Sequence, residues 1–123
     1  MNVSTATPKI TLALLWITVM ILMIFADIFS IILELEVGNQ IEIPIDVKTA
    51  MAIAAVVTAI PIFMIVLSWV LPYKINRLAN IVVGIFTIIY ILGGGSLVPH
   101  YIIIASMEIA LLASIVVISL RWK

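Results

Sequence analysis

The stretch TLALLWITVMILMIFADIFSIILE, residues 11–34, decides the reading of this chain. Before Glu34 it carries one ionisable residue, Asp27, in an otherwise almost wholly apolar run. A bilayer core about 30 Å thick is crossed by about 20 consecutive apolar residues in a helix, so the run is long enough to span one. An Asp at the centre of a spanning helix costs about 2.5–3.5 kcal/mol, whereas each Leu, Ile, Phe or Val contributes about 0.3–0.6 kcal/mol towards insertion. The fifteen such residues between Ile10 and Leu33 together contribute about 5–9 kcal/mol, so this helix enters the membrane despite its acid.

Three further apolar runs follow, which places the spans near residues 9–33, 48–71, 77–95 and 99–120. The expected fold is an all-α, four-transmembrane-helix up-and-down bundle forming a single membrane domain over 1–123. Thr7-Pro8 reads as an N-cap followed by proline at the first helical position, and Asp46 as the N-cap of the second helix. Pro72 ends that helix, Asn76 is placed to cap the third, Gly93-Gly94-Gly95 ends it and Pro99 opens the fourth. Pro61 falls inside the second span, where it removes a backbone donor and kinks the helix. The composition agrees with this reading. Hydrophobic residues make up 66% and charged residues 10% of the 123, with mean hydropathy +1.43. Ordinary soluble chains have roughly 45–50% and about 25%.

Six Lys/Arg balance six Asp/Glu, which leaves no basic field for nucleic acid. With no cysteine and a single histidine, the sequence offers no disulfide, no thiolate metal site and no bis-histidine haem, so no cofactor is expected. Lys9, Lys74, Arg77, Arg121 and Lys123 fall on one side of a chain that crosses four times, and Lys48 on the other. Cytoplasmic loops collect Lys and Arg, so both termini and the 72–76 connection are expected inside, with 34–47 and 96–98 outside. The first span is too long for a secretory h-region and no small-residue cleavage site follows it, so it is expected to be retained. The outer segment 34–47 alternates apolar and polar residues from Leu35 to Ile43 around Gly38-Asn39, the signature of a short β-hairpin. Its acids Glu34, Glu36, Glu42 and Asp46 either attract cations or form a solvated cap. No internal repeat is evident.

Polar residues within the spans mark the candidate sites. On the first helix Lys9, Ala13, Trp16, Met20, Met23, Asp27, Ser30 and Glu34 alternate spacings of four and three, forming one stripe expected to face the bundle. On the fourth, Tyr101, Ala105, Glu108, Leu112, Ile115, Ser119 and Trp122 do the same. In an up-and-down bundle the first and last helices are neighbours, and helical rise puts Asp27 and Glu108 at comparable depth, near Tyr90, Tyr101 and His100. No Lys or Arg lies at that depth. The pair therefore reads in two ways: a proton or metal-cation site, or an interhelical polar clasp in which protonated carboxyls hydrogen-bond. His100 alone, far from other ligands, is weak evidence of a metal site. Trp16, Trp69 and Trp122 read as packing or interfacial anchors. Ala50, Ala54 and Thr58, and Ser106, Ala110 and Ser114, are spaced for close helix approach, expected to serve packing within the monomer or else a homodimer.

The strings LWITVMILMIFADIFS, LPYKINRLANIVVGI and SMEIALLASIVVISLRWK resemble a family of small prokaryotic four-helix membrane proteins of unknown function. The likeness spans nearly the whole chain. Its more specific parts are the first-helix acid at Asp27, the Leu71–Arg77 segment with Asn80 following, and the late acid at Glu108. The resemblance implies the fold and a prokaryotic cytoplasmic membrane, and brings no activity or cofactor. Within it, Asn76, Arg77 and Asn80 form either a cytoplasmic gate or lipid-phosphate site, or simply a helix cap with a topology-setting charge.

Two functions follow. The first is a small multi-pass membrane protein of interaction or structural type, with Asp27 and Glu108 as a clasp and with the bilayer, a second copy or another membrane protein as its partner. The alternative is a proton- or cation-coupled small transporter or channel component that uses the two acids, with Asn76, Arg77 and Asn80 as its inner gate. An enzyme is not expected, because no nucleophile, base and oxyanion donor assemble from these residues.

Overall fold

The computed structural model describes residues 3–37, 46–94 and 97–122. These form four helices, α1 (Val3–Val37), α2 (Val47–Val70), α3 (Tyr73–Gly93) and α4 (Pro99–Arg121). All four are long and apolar enough to cross a membrane. Each packs against two others: α1 on α2 and α4, and α3 on α2 and α4, so that α1 and α3 face one another across a diagonal.

Helix boundaries follow the proline chemistry closely. Pro72 has no N–H to continue α2, which ends in extended backbone at Leu71, and Pro99 stands at the start of α4, where a missing donor costs nothing. Gly94 follows the last residue of α3. Asp46 takes the N-cap position of α2 through its backbone, accepting from the Ala50 N–H at 2.9 Å, without a side-chain cap. Three expectations fail. The helix α1 begins at Val3, before Thr7-Pro8, so that pair lies inside the helix. At its other end α1 continues to Val37, which makes Glu34, Leu35 and Glu36 helical; the rest of the expected hairpin, Gly38-Asn39 and Glu42 included, lies outside the described residues. The helix α3 starts at Tyr73, so Asn76 is an interior residue and not its N-cap. The helix α2 continues through Pro61, which is buried.

The surface is apolar and the centre mixed, the inverse of a soluble bundle. Ile10, Leu14, Ile21, Ile24, Phe63, Leu78, Ile89 and Ile103 point outward among many similar residues. The core gathers Leu12, Trp16, Val19, Met64, Ile91, Leu112, Ile115 and Trp122. The stripe read on α1 faces inward except at Asp27, which is exposed: Lys9, Trp16 and Met20 are buried and Ala13, Met23, Ser30 and Glu34 half-buried, with Leu12 and Val19 widening the inner face. Every residue of the α4 stripe is buried or half-buried. On α4, however, Ser106, Ala110 and Ser114 are exposed, their serine hydroxyls donating to the carbonyls of Ile102 and Ala110 on their own helix, so this run does not serve packing within the monomer. On the α3–α4 contact Gly84 leaves room for the neighbouring helix, since an added Cβ there would stand 2.9 Å from Cγ2 of Val116.

Candidate functional site

Polar side chains occupy the bundle at two levels. The first joins the front of α3 to three other helices. Asn76 and Asn80 lie one turn apart on its buried face, both fully enclosed. Asn80 Oδ1 accepts from the indole N–H of Trp16 on α1 at 2.7 Å and from the Ser68 hydroxyl on α2 at 3.2 Å. Its amide donates to the Asn76 side-chain oxygen at 2.6 Å and to the Asn76 carbonyl at 2.9 Å. Asn76 in turn donates to the carbonyls of Ser68, at 2.7 Å, and Leu71, at 3.3 Å. The residue four beyond Ser68 is Pro72, which has no N–H for that carbonyl. Asn76 supplies the donor that Pro72 lacks, so it caps the end of α2, not the start of α3.

Arg77 does the same for α4. Its guanidinium donates to the carbonyls of Ser119 at 2.8 Å and Leu120 at 3.0 Å, groups of the last helical turn that have no intrahelical partner. A cation there also opposes the negative end of the helix dipole. Tyr73 completes the junction, its hydroxyl donating to the Trp122 carbonyl at 2.6 Å with the two rings edge to face. Asn76 and Asn80 are thus fully enclosed, and Arg77 directs its Nε and one Nη to the end of α4.

The second level lies about 16 Å along α1 from Trp16, three turns further on at Asp27. Here the helices part to leave a cavity of about 470 Å³, lined by Met23, Ala26 and Asp27 of α1, Tyr90, Ile91 and Gly93 of α3, Gly94 just beyond it, and Tyr101 and Glu108 of α4. The expected convergence of Asp27, Glu108, Tyr90 and Tyr101 is therefore present, and His100 is not among the lining residues. His100 instead bonds with Ser30 of α1 at 3.1 Å and meets the ring of Phe29 edge-on, fastening α4 to the end of α1. The Tyr101 hydroxyl donates to the Ile91 carbonyl at 2.9 Å, closing the frayed end of α3 and fixing its own ring on the cavity wall.

The two acids differ in setting. Asp27 is exposed at the cavity, whereas Glu108 is only 4% exposed, and its Oε1 is enclosed with no hydrogen-bond partner. Among the described residues no hydrogen bond joins the two carboxyls, and no Lys, Arg or His lines the cavity to neutralise them. Nor does any group of three or more metal-ligating side chains occur among the described residues. Between the cavity and the asparagine layer the interior is filled by Val19, Met64, Leu112 and Ile115, all essentially unexposed.

Sequence reasoning found Asp27, Glu108 and Tyr101 through their heptad-like spacing and Tyr90 through its depth along the helix. It did not find Ser68, Trp16 and Tyr73 as partners of the asparagines and of α4. The usable signal was on α3, where Asn76, Asn80, Gly84, Thr87 and Ile91 recur at four- and three-residue steps and form its buried face.

Four helices long and apolar enough to cross a membrane, a sealed polar layer and an acid-lined cavity are consistent with a small helical membrane protein. The chain belongs to the family of unknown function DUF6326, whose model matches residues 5–123. No curated protein and no solved structure matches it.

Proposed function

We propose that the chain is a multi-pass protein of the prokaryotic cytoplasmic membrane, an up-and-down bundle with both termini cytoplasmic, and that it acts as an interaction component: it receives a group at its outer recess and does not pass one across. It is neither an enzyme nor a conduit. The orientation rests on the concentration of Lys9, Lys74, Arg77 and Arg121 at the end carrying the asparagine layer, against Lys48 elsewhere. Asp27 and Glu108 belong to the receiving site, and the clasp that locks the helices is the Trp16–Asn80–Asn76–Ser68 layer.

One observation carries this reading: the recess has a floor. Beneath Glu108 the interior is first apolar, at Val19, Met64, Leu112 and Ile115, with the buried Thr87 hydroxyl donating to the Val83 carbonyl of its own helix, and then filled by side chains whose donors and acceptors are already matched. A relay needs polar groups or water in succession, and packed aliphatic side chains interrupt it.

Proteoliposomes carrying a pH-sensitive dye test the reading. A proton gradient imposed across them should decay as slowly as in protein-free vesicles, with or without added Na⁺ or K⁺. Decay accelerated by the protein and abolished by Asp27→Asn would establish transport in its place.

A further inference from the structure

Glu108 presents a chemical problem that the fold leaves unsolved. It is a carboxyl group nine-tenths buried, in the wall of a cavity, with one oxygen lacking any donor. Leaving a buried acceptor unmatched is unfavourable, and the fold tolerates few such groups. Of the other polar residues at this level, Tyr101 donates to Ile91 and His100 bonds with Ser30, while Tyr90 lines the same cavity. What the carboxyl lacks is an N–H or O–H donor, and the terminal torsion of a glutamate is soft enough to turn either oxygen towards one.

The remaining wall narrows the donor. Asp27, across the cavity, adds a second acceptor of the same sign, so the site suits a positive charge. Met23, Ile91 and the rings of Tyr90 and Tyr101 give it apolar and aromatic sides, which suit an organic body and the face of a cation. A volume of about 470 Å³ lies within the range of small-molecule sites. A hard divalent ion would need about six oxygen ligands, and two carboxylates fall short of that.

We propose that this recess binds a small amphipathic primary or secondary amine, its ammonium held between Asp27 and Glu108 and its apolar body against Tyr90, Tyr101, Met23 and Ile91. The N–H groups of such an amine fill the acceptors that a quaternary ammonium, with charge but no donor, leaves unmatched. This assignment rests on the reading of the recess as a receiving site and names the chemistry of its occupant.

The test uses the full chain in lipid nanodiscs, with empty nanodiscs to subtract partition into lipid. Three probes share one body: phenethylamine, its N,N,N-trimethyl derivative and the neutral phenethyl alcohol. Calorimetric titration should show saturable binding of phenethylamine, with the other two about ten- to a hundredfold weaker. Glu108→Gln and Asp27→Asn should each weaken the amine by a similar factor while leaving helical content and monodispersity unchanged. Asp27→Asn, at the more exposed position, keeps the test valid if the Glu108 variant does not fold. Equal binding of all three probes, amine binding untouched by both substitutions, or no saturable binding at all would overturn the assignment. Failure here with proteoliposomes that remain proton-tight removes only the amine, whereas amine binding in a protein that conducts protons removes only the reading of a closed receptacle.

Discussion

The indole N–H of Trp16 reaches across the diagonal of the bundle to the side-chain oxygen of Asn80, 2.7 Å away, with both residues fully enclosed. The bond joins α1 to α3, two helices that are not principal packing neighbours in the bundle. It ends in a network that also enters α2 through Ser68. A lipid solvent provides little hydrophobic drive between helices, so packing and interhelical hydrogen bonds set which faces meet. Trp16 and Asn80 therefore do more than fill space: they fix the rotation of α1 and α3 about their axes, and through it the placing of Asp27 three turns away.

Close packing of α3 on α4 depends on Gly84. Alanine there places a methyl 2.9 Å from Cγ2 of Val116, a stiff β-branched neighbour that has little room to turn. Overpacking of this kind costs about 1–3 kcal/mol, against about 1 kcal/mol gained from replacing a helical glycine. Gly84→Ala should therefore lower stability by up to about 2 kcal/mol, and Val116→Ala in the same chain should recover it. Reversible unfolding in mixed micelles reads both, and additive effects of the two substitutions would show that the contact is not what limits the site.

Arg77 serves the end of α4 with two separate N–H groups. Arg77→Leu should loosen the last turn, raising amide exchange around Ser119–Trp122 and lowering stability by about 1–2 kcal/mol. Arg77→Lys should recover only part of this, because an ammonium does not reproduce the guanidinium fork. Full recovery by lysine would reduce Arg77 to a charge that sets topology.

Orientation is open to a clean test because the chain has no cysteine. Leu97→Cys and Asp46→Cys should react with a membrane-impermeant maleimide in intact cells, both positions being exposed in the structure. Lys74→Cys and Arg121→Cys should react only after the membrane is opened. The reverse pattern would turn the bundle over and put the recess inside.

Much of this was legible in residues 11–34 and their counterparts. Prolines at 72 and 99 mark helix ends because a missing N–H has the same consequence in any fold, and the acids of α1 and α4 line one cavity because their stripes share a period with the helix. The asparagine layer was harder to read. Asn76 sits three residues into α3 and looks like that helix's cap, yet it serves α2, because the proline that starts one helix strips a donor from the other. The partnership of Trp16 with Asn80, 64 positions apart, depends on how two non-adjacent helices are rotated, which no local pattern encodes. Glu34–Glu36 read as loop in the sequence because charge usually ends a span, whereas a helix can continue past the hydrocarbon into water, where its polar residues meet no penalty.

Whether the outer acids lock the bundle or form a site that the bundle must support is decided by comparing two leucine substitutions. Asn80→Leu orphans the Trp16 and Ser68 donors, and should lower unfolding stability in a bilayer-like medium by about 1–3 kcal/mol. Glu108→Leu removes a carboxyl whose enclosed oxygen bonds to nothing, and should leave stability unchanged or raise it by about 1–2 kcal/mol. A Glu108→Leu protein that loses as much stability as the Asn80→Leu protein, or more, would contradict this account and return the clasp to Asp27 and Glu108.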